Sequence, residues 1–312
     1  MAGRPVTART IAPHRSSIPK LSVVVASLNG QTALQNCLDS ILADKTVDVE
    51  IIVTSRGPNV PLSELSDRYC GVNFVQFPLG TQLPVLLAAG IARSHGDVIA
   101  LTDSSCVVSN CWASSILRAH DGKWPVIGGA VDINVNGKLV NWAAYFCDYS
   151  QFMSPARAGV VSAVPGNNLS IKRAALKIGS AFVENEFWKT HWCRSLQATG
   201  IELFLDPAIS VRCDKNYEPA TFMIRRFHQG RCFAGIRSSQ MKRSNRVLFA
   251  AGAPILPLLL MFRTARPVMR EKRFWGKFLL SMPMILAAFV AWSAGEALGY
   301  LTGPGTSSDR ID

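Results

Sequence analysis

Three short polar segments follow apolar, β-branched runs in the first 110 residues. They are 26–30 (ASLNG), 54–57 (TSRG) and 103–106 (DSSC), and each preceding run is typical of a buried strand. In parallel α/β sheets, ligands bind beyond the carboxyl ends of the strands. Hydroxyl groups and the carboxylate of Asp103 would line that edge. The pattern predicts a site for a polar ligand there, and the alternative is that Asp103 only caps the turn that follows it.

A second group of candidate residues is cationic and concentrated in one part of the chain. Residues 225–277 contain thirteen Lys and Arg and a single acid, Glu271, whereas the whole chain carries a formal net charge of +12. Apolar segments lie directly beside these cations. A basic belt next to apolar segments is typical of a membrane surface. The uneven charge argues against a protein that coats nucleic acid, so we expect no nucleic-acid partner.

The elements that must position these residues alternate between strands and helices. Alternating elements predict βαβ units and a mostly parallel central sheet, that is, an α/β fold. We expect strands at 21–27, 49–53, 72–77 and 97–102, with helices at 32–42 and 84–94. From residue 125 the pattern changes. There we expect extended segments at 126–135, 160–165 and 203–211, and helices at 184–198 and 222–246.

Two apolar stretches near the C-terminus indicate association with a membrane. The stretch 247–262 is uncharged but would be only about 24 Å long as a helix, short of the ~30 Å hydrocarbon core. The stretch 278–301 is long enough. Basic residues on both sides of 247–262 disfavour a crossing by both stretches. We therefore expect 247–262 to be re-entrant or in-plane and 278–301 to span; two core helices of a soluble protein are the alternative.

The remaining composition narrows the class of protein. With 48% hydrophobic and 17% charged residues, the chain is too apolar to be disordered. None of its eight cysteines forms a CxxC pair, which argues against a structural zinc site and is typical of buried thiols in a reducing compartment. The N-terminal segment 1–20 is basic without an apolar core, so we expect a flexible arm, not a secretory signal.

The order of these motifs resembles that of family-2 glycosyltransferases. The matching segments are SVVVASLNG, CLDSIL, VEIIV, AAGIARSHGDVIALTD, SCVVSNCW, PGNNLSIKRAAL and HQGRCFAGIR. The resemblance implies the nucleotide-sugar-binding GT-A fold over 21–224, with a donor half (21–124) and an acceptor half (125–224). It further implies a basic interfacial helix (225–246), membrane-associated helices (247–301) and a tail (302–312).

The resemblance implies which residues bind the donor, a nucleotide sugar. Its diphosphate gains charge as the glycosidic bond breaks, and that charge needs a metal or cationic side chains. Family members use a DxD motif for metal and ribose; here it reads Asp103-Ser104-Ser105, which keeps only the first carboxylate. A divalent cation, Mg²⁺ or Mn²⁺, would therefore rest on Asp103. The implied donor-binding residues are Ser27, Asn29, Ser55, Asp103, Ser105, His228 and Arg231.

Several implied roles have structural alternatives. Asn29 is also a common turn residue, and His228 and Arg231, with Arg237, could face lipid head groups instead of a diphosphate. The acidic position after the second strand holds Ser55, or Arg56 if the register slips by one, and the late histidine position holds Cys213. The stretch 142–152, rich in aromatic residues, is more typical of a core than of a sugar platform.

The acceptor hydroxyl needs a general base within hydrogen-bond reach. The nearest carboxylates to the position implied by the resemblance are Glu186 and Glu184, so the candidate catalytic residues are Glu186, Glu184 and Asp103. A surface role for both glutamates is the alternative. The turn that contains Gly166, Asn167 and Asn168 would border the acceptor.

Together these features predict an inverting glycosyltransferase that acts on a lipid-linked or polysaccharide acceptor. Membrane lipids would hold it at the bacterial inner membrane with the catalytic domain in the cytosol. The missing carboxylates leave a second hypothesis, a catalytically degenerate membrane-bound binding or scaffold protein that keeps the GT-A fold.

Overall fold

The computed structural model describes residues 19–28, 30–57, 62–134, 137–239 and 241–310. The arm 1–18 and Asn29 lie outside these residues. The chain divides into two compact units. Unit 1 comprises Met1–Asp132 and Phe152–Asp214, and unit 2 comprises Ile133–Gln151 and Lys215–Asp312.

The strands of the sheet follow the buried apolar runs of the sequence. In chain order they are β1 (Leu21–Ser27), β2 (Val49–Arg56), β3 (Val72–Phe77), β4 (Val98–Asp103), β5 (Cys106–Val108), β6 (Val126–Ile133), β7 (Gly159–Val161), β8 (Leu169–Lys172) and β9 (Leu203–Cys213).

The α-helices lie between and after these strands. They are α1 (Gln31–Leu42), α2 (Leu62–Arg68), α3 (Leu83–Arg93), α4 (Trp112–His120), α5 (Leu139–Tyr149), α6 (Lys189–Ala198), α7 (Pro219–Ser238), α8 (Arg243–Gly252), α9 (Leu256–Glu271) and α10 (Trp275–Thr302).

The sheet has the order β3-β2-β1-β4-β8-β6-β9-β5, and β7 pairs with β9. Strands β3, β2, β1 and β4 are parallel, whereas β8 pairs antiparallel with β4 and β6. Every residue of β1 and of β4 is buried, as expected of central strands covered on both faces. The predicted α/β fold with a mostly parallel sheet is confirmed.

The apolar core of unit 1 holds the sheet in register. One cluster joins Val24 of β1 and Leu101 of β4 to Leu87 of α3 and Trp192 of α6. These side chains are fully or almost fully buried, and each contributes roughly 1.5–3 kcal/mol or more by its removal from water. The carboxyl ends of β1, β2 and β4 are therefore fixed on a packed base.

The helix expected at 184–198 begins later in the structure than predicted. Helix α6 begins at Lys189. The preceding residues form a loop, because the Phe187 backbone N–H donates to Pro84 O (2.8 Å) and the Trp188 N–H donates to Phe182 O (3.0 Å). These bonds replace the helical pattern, so Glu184 and Glu186 lie on the loop instead of on a helix face.

The expected basic helix at 222–246 is also wrong, because it is two helices. The Ser238 hydroxyl donates to Gly235 O and the Ser239 hydroxyl donates to Ile236 O, each at 2.8 Å. Serine hydroxyls that bond to nearby backbone carbonyls compete with helical hydrogen bonds. Helix α7 accordingly ends at Ser238, and α8 begins at Arg243. The expected strand at 160–165 is shorter as well, since β7 covers only Gly159–Val161.

Unit 2 contains two helical segments that are long and apolar enough to cross a membrane, Arg243–Glu271 and Trp275–Thr302. The first is longer than the uncharged stretch 247–262, because α8 and α9 continue on both sides of it. Its helical length therefore exceeds the ~24 Å expected from the sequence.

The buried His120 of unit 1 gives a pH-dependent stability. Burial, and next the charge of Lys172, lower the His120 pKa from 6.5 to about 4. Folded His120 stays neutral where the unfolded chain takes up a proton, so stability is lost as the pH falls from about 6.5 to 4. We expect a loss of about 3 kcal/mol over that interval. In detergent, the Tm of wild type should fall more steeply between pH 7 and pH 5 than that of His120→Gln; parallel Tm curves would contradict this.

Candidate functional site

The parallel register brings the ends of β1, β2 and β4 together at one edge of the sheet. Ser27 of β1 lies beside Ser55 of β2, and Ala26 lies between Thr54 of β2 and Asp103 of β4. Residues in register on neighbouring strands point to the same face. The two predicted donor-binding serines are therefore neighbours, and Asp103 ends the adjacent strand.

Four buried hydroxyl groups at this edge have no hydrogen-bond partner within the described part of the chain. They belong to Ser27, Thr54, Ser55 and Ser104, which we call the edge hydroxyls. All four side chains are essentially inaccessible to solvent. Buried polar groups in native proteins nearly always have a hydrogen-bond partner. A concentration of unpaired hydroxyls at one sheet edge is therefore a signal for a polar ligand.

Asp103 is held in place by the turn that follows it. The Ser105 backbone N–H donates to Asp103 Oδ1 at 2.9 Å, the Ser105 hydroxyl donates to the same oxygen, and the Cys106 thiol lies 3.7 Å from it. The Ser104 N–H donates to Ala26 O at 3.0 Å. This is the turn-capping role, and it also fixes the carboxylate at the end of β4, where it is 8% exposed.

Cysteines surround the Asp103 turn. The Cys37 thiol of α1 lies 3.7 Å from Asp103 O, and Cys213 Sγ lies 3.8 Å from Ser105 Oγ. Burial, and next the charge of Asp103, raise the pKa of Cys37 far above its ordinary value, so it remains a neutral thiol. Cys213, at the late histidine position of the resemblance, thus does lie next to the DxD-like segment.

Asp214 is a carboxylate that the sequence analysis did not single out. Its backbone N–H donates to Ser105 O at 2.8 Å, because β5 pairs with β9 and places Cys106 opposite Cys213. Its side chain forms an ion pair with Arg212 (3.3 Å). The only signal in the sequence was its position after an extended segment, and no local pattern connects it to Asp103. Thr54 and Ser104 were within the segments singled out, but neither was assigned a role.

The residues of the turn predicted to border the acceptor have two different roles. Asn167 Nδ2 donates to Cys106 Sγ at 3.2 Å, so Asn167 lies next to the Asp103 turn, and its buried Oδ1 has no partner among the described residues. Gly166 lies near the stem of Lys189, whose ammonium donates to Val164 O at 2.6 Å. Asn167 therefore lies next to the Asp103 turn, whereas Gly166 lies next to Lys189.

Asn168, by contrast, holds the sheet together. Its Nδ2 donates to Ala130 O (2.8 Å) and Ile209 O (3.0 Å), and its Oδ1 accepts from Trp112 Nε1 (2.9 Å). Because both ends of this buried amide bind interior groups, we correct its expected role from acceptor contact to structural support.

The two candidate bases differ in how they are held. Glu186 is half-buried, and its Oε2 accepts from Trp188 Nε1 at 2.6 Å, whereas Glu184 is exposed. The adjacent Phe187 is bonded to Pro84, in the first turn of α3, and a helix that follows a parallel strand begins at the carboxyl edge of the sheet. The loop that carries Glu186 is therefore anchored at the same edge as Asp103.

Arg231 and His228 belong to unit 2, where they bind the C-terminal segment. Arg231 donates to Gly303 O (3.3 Å) and to Thr302 Oγ1 (3.4 Å), and His228 Nδ1 lies 3.0 Å from Ser307 Oγ. Burial, followed by the charges of Arg310 and Arg231, lowers the pKa of His228. These contacts lie within unit 2, and the donor-binding role of His228 and Arg231 stays a prediction. Asn29 lies outside the described residues.

The DxD-like segment offers a divalent cation one carboxylate ligand, that of Asp103. No group of three His, Cys, Asp or Glu side chains that could hold a metal occurs among the described residues. Ser105, in place of a second carboxylate, donates its hydroxyl to Asp103 instead of offering a charged ligand. Magnesium is commonly held by one or two carboxylates together with substrate phosphates. Asp103 fits that mode, in which the ligand supplies the other oxygens, and does not fit a cage built by protein alone.

The edge hydroxyls give a prediction with two readouts. Ser55→Ala removes an unpaired buried hydroxyl, so we expect a Tm equal to or above that of wild type together with roughly 3–10-fold weaker binding of the donor, because one hydrogen bond is lost. Thermal unfolding and calorimetric titration measure the two effects. Ser170→Ala is the control, because Ser170 is paired with His120 and Ile127 away from the edge. It should lower the Tm and leave donor affinity unchanged; unchanged affinity in Ser55→Ala would contradict the assignment.

Comparisons with known proteins identify the family and the fold of the chain. The model of the family "Glycosyl transferase family 2" matches residues 22–178. The solved structure of a mannosyltransferase from Pyrobaculum calidifontis, in complex with GDP-Man and Mn²⁺, is similar with a TM-score of 0.54 and 11% identity. The similarity covers 92% of this chain and 89% of that one. None of the curated proteins matches the sequence. The matched segment contains Ser27, Ser55, Asp103 and the turn at Gly166–Asn168, and the chain belongs to glycosyl transferase family 2 as a nucleotide-sugar-dependent glycosyltransferase with a GT-A fold.

Proposed function

We propose that this enzyme transfers one sugar from its nucleotide-sugar donor to a lipid-linked or polysaccharide acceptor, with inversion at the anomeric carbon. The observation that carries the proposal is the carboxyl edge of the sheet, where Asp103 and the edge hydroxyls lie at or next to the ends of neighbouring strands. A ligand rich in hydroxyl and phosphate oxygens is the natural partner of such an edge.

In this proposal Asp103 contacts the ribose or diphosphate, and Ser27 and Ser55 bind the nucleotide. Ser105 positions Asp103 through its backbone N–H and its hydroxyl. This turn is held by Ser104 and Cys37, so the carboxylate is oriented before the donor arrives. Preorganised polar groups stabilise developing charge without a reorganisation cost during the reaction.

Glu186 acts as the general base that takes the proton from the acceptor hydroxyl. The acceptor oxygen then attacks the anomeric carbon as the bond to the nucleoside diphosphate breaks. Inversion follows when the base and the leaving group lie on opposite faces of the sugar. The contact with Trp188 orients the Glu186 carboxylate, and Asn167 and Gly166 border the acceptor.

The acceptor is proposed from the C-terminal half of the chain. The two long apolar helical segments support membrane association, and a lipid-linked acceptor would be presented at the membrane surface. We place the enzyme at the bacterial inner membrane with its catalytic unit in the cytosol, where nucleotide sugars are available.

A divalent cation, where bound, would neutralise charge on the diphosphate as the leaving group departs. Asp103 would hold it together with donor phosphates. We therefore expect Mn²⁺ to bind measurably only when a nucleoside diphosphate is present, and Asp103→Asn to lose that binding. Electron paramagnetic resonance of free Mn²⁺, with and without nucleotide, measures this. Tight Mn²⁺ binding without nucleotide would contradict it.

A panel of UDP-, GDP- and dTDP-sugars, each with and without Mn²⁺, tests the proposed function. We expect the purified enzyme to bind one nucleotide class and to hydrolyse or transfer its sugar. Binding without any turnover on lipid-linked and polysaccharide acceptors would instead favour the degenerate scaffold, which the replacement of a carboxylate by Ser105 allows. If the enzyme bound none of these donors, the result would contradict the proposed donor site.

A further inference from the structure

The C-terminal helices of unit 2 expose an unusually large number of apolar side chains. Nineteen large apolar side chains are exposed among the described residues, and fourteen of them lie between Val247 and Leu301. Leu258 and Phe262 of α9 are each 70% exposed, and Leu280 of α10 is 65% exposed. Contiguous exposed apolar surface of this kind marks an interaction site.

The opposite face of α10 is covered by unit 2 along its whole length. At its N-terminal end, Phe274 and Phe278 pack on Trp142 and Phe146 of α5, with ring centroids 4.7 and 5.2 Å apart. Near its C-terminal end, Gly295 and Gly299 bring the α10 backbone against the backbone of α7, so closely that a Cβ at either position would overlap it. Only one side of α10 is therefore free to meet lipid.

Helix α7, which covers the C-terminal part of α10, carries four arginines. Arg226 of α7, only 6% exposed, forms a 2.7 Å ion pair with Asp148 of α5. Arg237 of α7 donates to the Tyr300 hydroxyl (3.0 Å), and Arg231 binds the end of α10. If α10 stood across a bilayer, these charged groups would be drawn into the hydrocarbon with it. Such charges cost several kcal/mol each in that environment.

The short segment that joins unit 1 to α5 argues against a helix α10 whose two ends lie on opposite sides of a membrane. Helix α5, which packs on Phe274, begins six residues after Ile133, a distance of at most about 20 Å. That is too short to cross a ~30 Å hydrocarbon core. The N-terminal end of α10 therefore stays on the side of unit 1. Its C-terminal end packs on α7, and the four arginines of α7 disfavour a crossing by that helix.

The charges point the same way. The turn between α9 and α10 is flanked by six cations at positions 263, 266, 270, 272, 273 and 277, and Arg243 and Arg246 begin the segment at its other end. Seven cations lie between Arg225 and Arg246, before the apolar part of the segment, so a hairpin that crossed the membrane would divide the basic belt and move six cations to the far side, against the positive-inside tendency. In the plane of the bilayer, both groups reach anionic head groups on one side.

We propose that the helical hairpin 243–302 lies flat in a single leaflet, with both ends on the side of unit 1, and binds a lipid surface that carries anionic head groups. This replaces the expectation from the sequence that 278–301 spans the bilayer. The proposal rests on the membrane association proposed above but not on sugar transfer, so a failure of catalysis leaves it intact.

Labelling with a membrane-impermeant maleimide tests the topology. The exposed Cys70 marks the side of unit 1 in Cys111→Ser. Lys272→Cys reports the turn of the hairpin and Thr306→Cys reports its end, each in a Cys70→Ser/Cys111→Ser background. Right-side-out and inverted membrane vesicles are compared, with permeabilised vesicles as the reference for full labelling.

We expect all three thiols to label from the same side. Labelling of Lys272→Cys from the opposite side would show a crossing hairpin, and labelling of Thr306→Cys alone from the opposite side would show a spanning α10; either result overturns the proposal. Release of the protein from membranes by a carbonate wash would overturn the membrane association itself, and with it this proposal.

Vesicle flotation tests the lipid class. On vesicles that contain phosphatidylglycerol, the triple variant Arg263→Gln/Arg266→Gln/Arg270→Gln should bind roughly 100-fold more weakly than wild type. On phosphatidylcholine alone the two proteins should bind equally. The matched control Lys45→Gln/Lys123→Gln/Lys177→Gln removes three exposed cations of unit 1 and should bind as wild type does. Equal binding of both triple variants to anionic vesicles would overturn the anionic preference.

Discussion

Replacing Asp103 with asparagine is expected to lower kcat/KM for sugar transfer by about 10²–10³-fold. The asparagine Oδ1 can still accept the hydrogen bonds from Ser105, so the turn should keep its shape while the charge is lost. The missing charge weakens contact with the donor and with any cation that the donor brings. Initial rates at several donor concentrations measure the change, and the Tm of the variant reports whether the fold is intact.

Asp97→Asn is the matched control for that experiment. Asp97 is exposed and immediately precedes β4, so it lies by the opposite end of the strand that Asp103 ends. The control should keep wild-type kinetics. Near-wild-type activity of Asp103→Asn, or an equal loss in both variants, would contradict the role of Asp103.

Replacing Glu186 with glutamine is expected to lower kcat by about 10²–10⁴-fold while donor affinity stays within twofold. Glutamine preserves the size of the side chain and an oxygen for the Trp188 contact, but it cannot take a proton from the acceptor. Single-turnover rates and calorimetric binding of the donor separate the two quantities. The separation matters because a structural defect would weaken donor binding as well.

Glu184→Gln is the corresponding control, two residues away on the same loop. Glu184 is exposed, and its backbone N–H bonds to Ser180 O. We expect its kcat to match that of wild type. A large loss in Glu184→Gln with none in Glu186→Gln would transfer the role of base to Glu184, and a loss in neither would remove both from the mechanism.

The sheet edge that carries the edge hydroxyls could be predicted because each of its strands can be recognised locally. β1 and β4 are continuous apolar runs that end in polar residues, and parallel pairing then places Ser27, Ser55 and Asp103 at one edge. No tertiary information beyond the βαβ pattern was needed. The same logic does not reveal that the edge hydroxyls lack partners, which depends on the packing around them.

Contacts between distant parts of the chain could not be predicted in this way. The bond from Phe187 to Pro84 turns a helical pattern into a loop, and the pairing of β5 with β9 brings Asp214 to Ser105. The sequence predicted that Asn168 belongs to an acceptor-binding turn, because its hydrogen bonds to β6 and β9 join residues that are far apart in the chain. Hydropathy likewise describes α10 by its composition alone and does not register that one of its faces packs on α5 and α7.

A structure of the enzyme with its bound donor nucleotide tests the central claim most directly. We predict that a ribose or diphosphate oxygen lies within hydrogen-bond distance of the Asp103 carboxylate, directly or through one cation, and that the nucleotide contacts the side chains at the ends of β1 and β2. A nucleotide bound elsewhere, with Asp103 bonded only to Ser105 and the edge hydroxyls still unpaired, would contradict the account.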